Sequence, residues 1–355
     1  MTVKGTAAER DGERIAVVLF NLGGPDGPEA VRPFLFNLFD DPAILGMPAW
    51  VRRPLAWLIA RKRAPVARAI YERIGGRSPI VPETLAQAAA LEEILGERLR
   101  VFVAMRYWHP LSERAVAEVM AWRPQRLVLL PLYPQFSTAT TASSLAAWRD
   151  AAAAAGLAVP THTICCYPTL AGMIEAQAAL LTAALGRVRG PQPVRVLFSA
   201  HGLPERTVER GDPYPRQVAM TAAAILEAMP VPVADSMICY QSRVGPLAWI
   251  GPATDAEIRR AGAEGVSLVV LPIAFVGEHS ETLVELDMDY AELASRSGVP
   301  HYVRVPTLGV HRRFIAGLAE LIDDALAAEA GVRPEHGRRA CPEDCGACAM
   351  TGGEG

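Results

Sequence analysis

Val194-Arg195-Val196-Leu197-Phe198-Ser199-Ala200-His201-Gly202-Leu203-Pro204 is an apolar run that stops at a histidine, a glycine and a proline. Phe275-Val276-Gly277-Glu278-His279-Ser280-Glu281-Thr282-Leu283 later closes the apolar run Leu268–Phe275 in the same way, with carboxylates beside its imidazole. Neither apolar run alternates polar with apolar residues, which fits strands buried on both faces of a parallel sheet. In such sheets ligands bind outside the carboxyl ends of the strands. Two strand ends that each offer an imidazole point to a site that handles protons or a metal ion.

Similar runs cover Ile15–Phe20, Leu99–Ala104, Leu127–Leu132, Thr161–Cys166, Ser236–Tyr240 and Tyr302–Val305. Helical patterns lie between them, over Pro82–Leu95, Ser112–Met120, Ser143–Ala155, Gly172–Leu185, Arg216–Met229 and Arg312–Ala328. Strand and helix in alternation imply doubly wound parallel sheets with right-handed crossovers. Val17–Pro25 echoes Val194–Pro204, and Leu127–Tyr133 echoes Leu268–Phe275. The expected α/β architecture is therefore two similar Rossmann-like halves with a cleft between them. The expected units are 15–189 (including a lip at 48–68), 190–330, and a cysteine-bearing tail over 331–355.

With 51% hydrophobic and 21% charged residues, the chain should bury a core. Its net charge of -3 carries no nucleic-acid footprint. Residues 1–14 lack the basic stretch and apolar core of a secretory signal. No apolar run reaches the roughly 18 residues that span a bilayer. The expectation is a cytoplasmic protein, whose six cysteines are read as ligands or buried residues and not as disulfides.

A lone histidine at a strand end is ordinarily a loop cap, but the second segment changes that reading for His201. If a helix runs from Gly277, then Glu278, Glu281, Glu285 and Asp289 share one face. Like charges at that spacing cost about 0.2–0.5 kcal/mol per pair, so the row needs a reason. A carboxylate path for cations or protons, with His279 beside it, is one. The lip mixes Trp50, Leu55, Trp57, Leu58 and Ile59 with Arg52, Arg53, Arg61, Lys62 and Arg63, the composition of an interfacial helix. In the tail, Cys341-x3-Cys345-x2-Cys348 is a compact thiolate group with metal-ligand spacing.

Ordered motifs carry a resemblance over about residues 15 to 330. They are Asn21–Pro25, Tyr71–Ile80, Arg106–Pro110, Tyr133–Ser137, Phe198–Pro204, Arg210–Pro215, Gln241–Pro246, Trp249–Pro252 and Glu278–Asp287. Together they resemble the ferrochelatases, which insert ferrous iron into a porphyrin. The resemblance implies that His201 and Glu281 are the catalytic and iron-facing pair, with Glu278, His279, Glu285 and Asp289 continuing an acidic path. It further implies that Leu45, Arg63, Tyr71, Ser78, Arg106, Tyr133 and Trp249 contact the porphyrin.

Some members carry a [2Fe–2S] cluster, held by three tail cysteines and one distant cysteine. The resemblance assigns that group to Cys341, Cys345, Cys348 and either Cys166 or Cys165, because the position used by animal members is Thr138 here. Structural zinc is the alternative occupant. Implied partners are a porphyrin, Fe²⁺ as substrate, a membrane surface touched through 48–68, and a second copy of the chain; no nucleic acid is expected. The competing functional readings are a cobalt chelatase of the tetrapyrrole family and a non-catalytic porphyrin- or haem-binding protein.

Overall fold

Every strand pairing in this computed structural model is parallel. The structure describes residues 13–351 except 244 and 246; residues 1–12, which were expected to carry no secretory signal, and Val244 and Pro246 of one quoted motif, lie outside the described residues. The strands are β1 (Ile15–Asn21), β2 (Leu99–Met105), β3 (Arg126–Pro131), β4 (Thr161–Ile164), β5 (Val194–His201), β6 (Ser236–Gln241), β7 (Ser267–Pro272), β8 (Tyr302–Arg304) and β9 (Gly331–Arg333). One sheet has the order β2-β1-β3-β4-β9 and the other β6-β5-β7-β8. Apart from β9, the second sheet repeats the winding of the first strand for strand.

The helices are α1 (Val31–Phe39), α2 (Ala49–Glu72), α3 (Ile80–Leu95), α4 (Ser112–Trp122), α5 (Ser143–Ala155), α6 (Ala171–Leu185), α7 (Glu205–Glu209), α8 (Tyr214–Ala228), α9 (Thr254–Glu264), α10 (Tyr290–Arg296) and α11 (Arg312–Ala327). The absence of alternation in the strands is explained by burial on both faces. Val17, Leu19, Val128 and Leu130 of the first sheet share one apolar cluster with Val196, Phe198, Val269 and Leu271 of the second. The opposite faces pack separately, Val18 and Phe20 with α4 and α5, and Leu197 and Val270 with α9 and α10. The α1–α2 hairpin forms a further cluster, in which Ala60, Ala64 and Tyr71 of α2 pack with Val31, Phe34 and Leu35 of α1.

The expected units need correction at their carboxyl ends. Helix α11, assigned by sequence to the second half, packs on α6 and α3 of the first. An alanine at Gly172 of α6 would put its Cβ 3.0 Å from the Cα of Gly317 in α11, so these backbones touch. The segment 331–355 is not merely a tail: its start, β9, pairs with β4. Such short strands carry too little pattern to announce themselves, and β9 gains its identity only from the β4 edge it covers.

Helices α1, α9 and α10 lie outside the stretches expected to be helical. The expected strand Thr161–Cys166 ends at Ile164, and Leu268–Phe275 ends at Pro272, which releases the following residues into loops.

Candidate active site

A doubly wound sheet opens a crevice where successive strands leave on opposite sides of the first. In the second sheet that point lies between β5 and β7. His201 is the last residue of β5, and the chain leaving β7 carries His279 and Glu281 to the same end. His201 Nε2 is 3.6 Å from Glu281 Oε1, and His279 Nε2 is 3.7 Å from Glu281 Oε2. The side chains of His201 and Glu281 remain 38% and 33% accessible, so the pair opens to the cleft, whereas His279 is buried.

The hydrogen bonds fix the tautomer of His201. Its Nδ1 lies 2.7 Å from the Gly202 carbonyl, an atom that can only accept, so Nδ1 carries the proton and Nε2 faces Glu281. Gly202 is required for this approach: a Cβ there would lie 3.0 Å from the Gln241 carbonyl and 3.2 Å from the Trp249 indole. Burial alone would lower the basicity of His201. The Glu281 charge and hydrogen bond, the Gly202 carbonyl and the Glu285 charge outweigh it, and the pKa rises to about 9. Burial likewise opposes the ionisation of Glu281, but His201 and then His279 draw its pKa down to about 2. His279 goes the other way: burial lowers its pKa, and its ring packs edge-on to Phe275 at 4.5 Å.

Both ring nitrogens of His279, Glu281 Oε2 and Trp249 Nε1 are buried without a hydrogen-bond partner. Buried polar groups are nearly always satisfied, and exceptions concentrated in one place call for a ligand or an ion. At neutral pH the pair is an imidazolium facing a carboxylate. A cation arriving at Glu281 would displace the proton of His201, so this arrangement can exchange a metal ion for protons.

The expected acidic path does not form one face. The helix begins only at Glu281 and is π-helical to Asp289. The i→i+5 bonds of a π-helix widen each turn and spoil the spacing assumed for an α-helix. Glu278 lies before it and is consumed by Arg304 Nη1 at 2.6 Å, the Thr282 hydroxyl at 2.5 Å and the Thr307 amide at 3.1 Å. Burial opposes its ionisation, but Arg304 and these bonds prevail and its pKa is lowered. Glu285 accepts from Ser242, Gln241 and Tyr290, and Asp289 pairs with Arg73, the residue that follows α2.

The residues expected around a porphyrin divide. Tyr71 reaches the site: burial raises its hydroxyl pKa to about 12, with Ser280 as hydrogen-bond partner and Glu281 as a nearby charge. Trp249 covers Gly202. Tyr133 is buried, 3.3 Å from the Ser144 hydroxyl. Ser78 is buried beneath Gly24, where a Cβ would sit 2.5 Å from the Ser78 Cβ. Leu45 is half-buried on the loop after α1, and Arg63 is exposed over the Phe39 ring at 5.8 Å.

Arg106, also expected at the porphyrin, is paired with an acid. Its Nη2 is 2.8 Å from the carboxylate of buried Asp41, and its Nε donates to Ser143. Asp41 in turn accepts from Tyr107, Ser143 and Ala43, and its carbonyl accepts from the amides of Ile44 and Leu45. Arg106 therefore holds the Leu45 loop.

Cys341, Cys345, Cys348, Cys165 and Cys166 are all buried. Cys341 donates toward Cys348, so the Cys341 thiol is pushed up and Cys348 is held down at about 6. Cys166 senses the charges of Cys341 and Cys348, while Cys165 lies 3.9 Å from Cys166. Gln217 of α8 donates to Cys341 Sγ at 3.1 Å and accepts from the Phe136 amide. Ala347 N donates to the Gly211 carbonyl, and Glu335 N to that of Cys166, so the tail ties the two halves together. Among the described residues, no group of three or more His, Cys, Asp or Glu side chains is gathered so as to hold a metal ion.

The family model for ferrochelatase matches residues 14–326. The chain belongs to the ferrochelatase family. It is 54% identical over 345 residues to the ferrochelatase of Phenylobacterium zucineum (strain HLK1), covering 96% of this chain and 99% of that one. It is 40% identical over 353 residues to the ferrochelatase of Gloeothece citriformis (strain PCC 7424), covering 95% and 90%. The solved structure of SirB from Bacillus subtilis with Fe3+ has a TM-score of 0.53 at 11% identity, covering 88% of this chain and 96% of SirB, a likeness of fold alone.

Sequence reasoning missed several residues that build this family's site here. Asp41, Gln241, Arg304 and Gln217 hold the residues it did find. None lies in a charge row or a ligand spacing, and Gln241 was quoted only as part of a motif. Asp41 offered the one available signal, an acid beside Asp40 at the end of a helix with no basic neighbour in sequence.

Proposed function

We propose that this protein inserts Fe²⁺ into protoporphyrin IX, a lyase-type metal chelation at the last step of haem formation. Membership of the ferrochelatase family supports the reaction class. The observation that carries the residue roles is the His201–Glu281–His279 group at the strand ends of the second sheet, in which both ring nitrogens of His279 and Glu281 Oε2 lack partners. Two pyrrole N–H protons must leave as iron enters. Fe²⁺ approaching Glu281 removes the reason for His201 to stay protonated, so Nε2 releases its proton to solvent, then accepts the two pyrrole protons one after the other and passes each to solvent. Tyr71, Trp249, Tyr133, Ser78 and Leu45 wall the macrocycle, Arg63 lies toward its propionates, and Arg106 fixes the Leu45 loop.

The outward side of α2 exposes Trp50, Trp57, Leu58 and Val66 among Arg53, Arg61, Lys62 and Arg63. Arg61 and Arg32 both stack on Trp57. This surface suits peripheral contact with anionic lipid, although no helix among the described residues is long and apolar enough to cross a membrane. The apolar lip favours protoporphyrin over more carboxylated porphyrins.

Cys341, Cys345, Cys348 and Cys166 fit a [2Fe–2S] cluster by the chemistry of their donor set. The thiols are buried, Cys341 is hydrogen-bonded to Cys348, Cys166 lies within reach of the charge of Cys348, and Gln217 already donates to Cys341 Sγ. When bound, such a group would tie the tail to both halves, a stabilising role.

The test is protoporphyrin IX with excess Fe²⁺ under anaerobic conditions. Many turnovers per chain are expected; a one-to-one complex without turnover would leave a porphyrin-binding protein. Broad visible absorption of the purified protein, with two irons and two sulfides per chain, is expected for the cluster. Zinc in their place would sink that part alone.

A further inference from the structure

We infer that Gln241 sets the separation of the His201–Glu281 pair, and that Glu285 is committed to holding the turn beyond Gln241 instead of passing ions. The inference rests on the reading that His201 and Glu281 carry the reaction.

Gln241 is the last residue of β6, fully buried, and lies opposite His201 in the parallel register. Its carbonyl accepts from the Gly202 amide at 2.9 Å, immediately beyond His201. Its side-chain oxygen accepts from the Ser199 hydroxyl at 2.8 Å, two residues before His201. Its Nε2 donates to the backbone carbonyl of Glu281 at 3.2 Å and to Glu285 Oε2 at 3.1 Å. One side chain thus spans from the strand that carries the histidine to the backbone that carries the carboxylate. Both amide hydrogens and the amide oxygen are used, which fixes the length of the span and locks its torsions. Gln241 touches neither iron nor porphyrin in this arrangement; it is a positioning residue.

Ser242 follows with φ of 61°, a left-handed conformation that is costly for a residue other than glycine. Glu285 offsets that cost. Its Oε1 accepts from the Ser242 amide at 2.8 Å and from the Tyr290 hydroxyl at 2.9 Å, and its Oε2 from the Ser242 hydroxyl and Gln241. An ionised carboxylate has about four lone-pair sites. Four donors fill them, so Glu285 has no lone pair left for a passing cation.

The experiment compares Gln241→Asn with the full-length wild type. Asparagine keeps the amide and shortens its reach by one methylene. His201 is faced by Glu281 and Glu285 from the π-helix, His279 from the loop after β7, and Tyr214 from α8. A loosened pair should lower kcat at least tenfold with the porphyrin KM unchanged, and should move the pH limb near 9 toward lower pH. A folded Gln241→Asn protein with wild-type kcat and limb overturns the inference. If that variant does not fold, Ser199→Ala cuts the same span at its β5 end and should give a smaller shift of the limb in the same direction; no shift overturns the inference.

His201→Ala separates the two readings. Loss of turnover there with normal Gln241→Asn leaves the pair standing and removes only the role of Gln241. Retained turnover in His201→Ala removes both. Glu285→Gln keeps one acceptor oxygen and so about two of the four contacts, which should loosen the Ser242 turn but leave the KM for Fe²⁺ within about twofold because no cation passes there; a tenfold rise would return Glu285 to the ion path and overturn its half of the inference.

Discussion

The two sheets share one winding, yet their switch points have opposite characters. Between β1 and β3 the chain presents Asn21 and then Gly23, Gly24 and Pro25, a neutral and closed arrangement. Asn21 donates to Thr84 and accepts from the Leu22 amide, and Gly23 lets the chain turn at φ of 80° against Trp108. Between β5 and β7 the equivalent position presents His201, and the returning loop adds His279 and Glu281, with polar atoms left unsatisfied. A duplicated scaffold has thus been used once for shape and once for charge. On the function proposed above, the first crevice would shape a wall for a flat ligand, and the second would hold the groups that exchange protons for a metal ion.

Substitutions at the two crevices should therefore fail in different ways. The largest effect is expected from His201→Ala, with kcat reduced about 10²–10⁴-fold, the range for loss of a positioned acid–base group. Steady-state kinetics with unchanged thermal unfolding would check it; comparable turnover would erase the distinction between the crevices. Arg106→Ala tests the shape side. It leaves buried Asp41 without its cation and should cost about 3–5 kcal/mol of stability, measured by denaturant unfolding. A loss confined to the porphyrin KM would instead make Arg106 a ligand contact.

Glu281→Gln comes next. The Glu281 charge holds the pKa of His201 up, so its removal should move the limb of kcat/KM from near pH 9 toward the ordinary histidine value of about 6.5. The linkage has a matching sign. The raised pKa of His201 stabilises the fold most below about 6.5, and that contribution is lost as pH rises through about 9. The lowered pKa of Glu281 contributes above its usual value and is lost as pH falls through about 2. Urea titrations of wild type and Glu281→Gln across this range should converge at alkaline pH; parallel curves would break the assignment. The smallest effect is expected from Asn21→Ala, about 1–3 kcal/mol for the stranded Thr84 contact, with the pH limb unmoved.

Much of this was legible in the chain. The unalternating strands, the echo between the halves and the histidine at the end of β5 followed from local pattern, because burial on both faces and strand-end chemistry leave marks within a few residues. The acidic row was legible as residues but not as geometry. Sequence spacing assumed an α-helix from Gly277, while the π-helical turn and Arg304, brought in by β8, sent Glu278 and Glu285 to different partners.

By itself the sequence determined the parallel α/β class, the repeated winding and the cysteine spacing, and it singled out His201 and Glu281, which the fold brings to one strand end. Only the tertiary structure decided which carboxylate faces which imidazole, that Arg106 pairs with Asp41, and that β9 closes the first sheet. The reason is physical. Period and propensity are set by neighbours along the chain, whereas a hydrogen bond or an ion pair is set by whichever distant side chain the packing delivers, and the sequence alone does not state that distance.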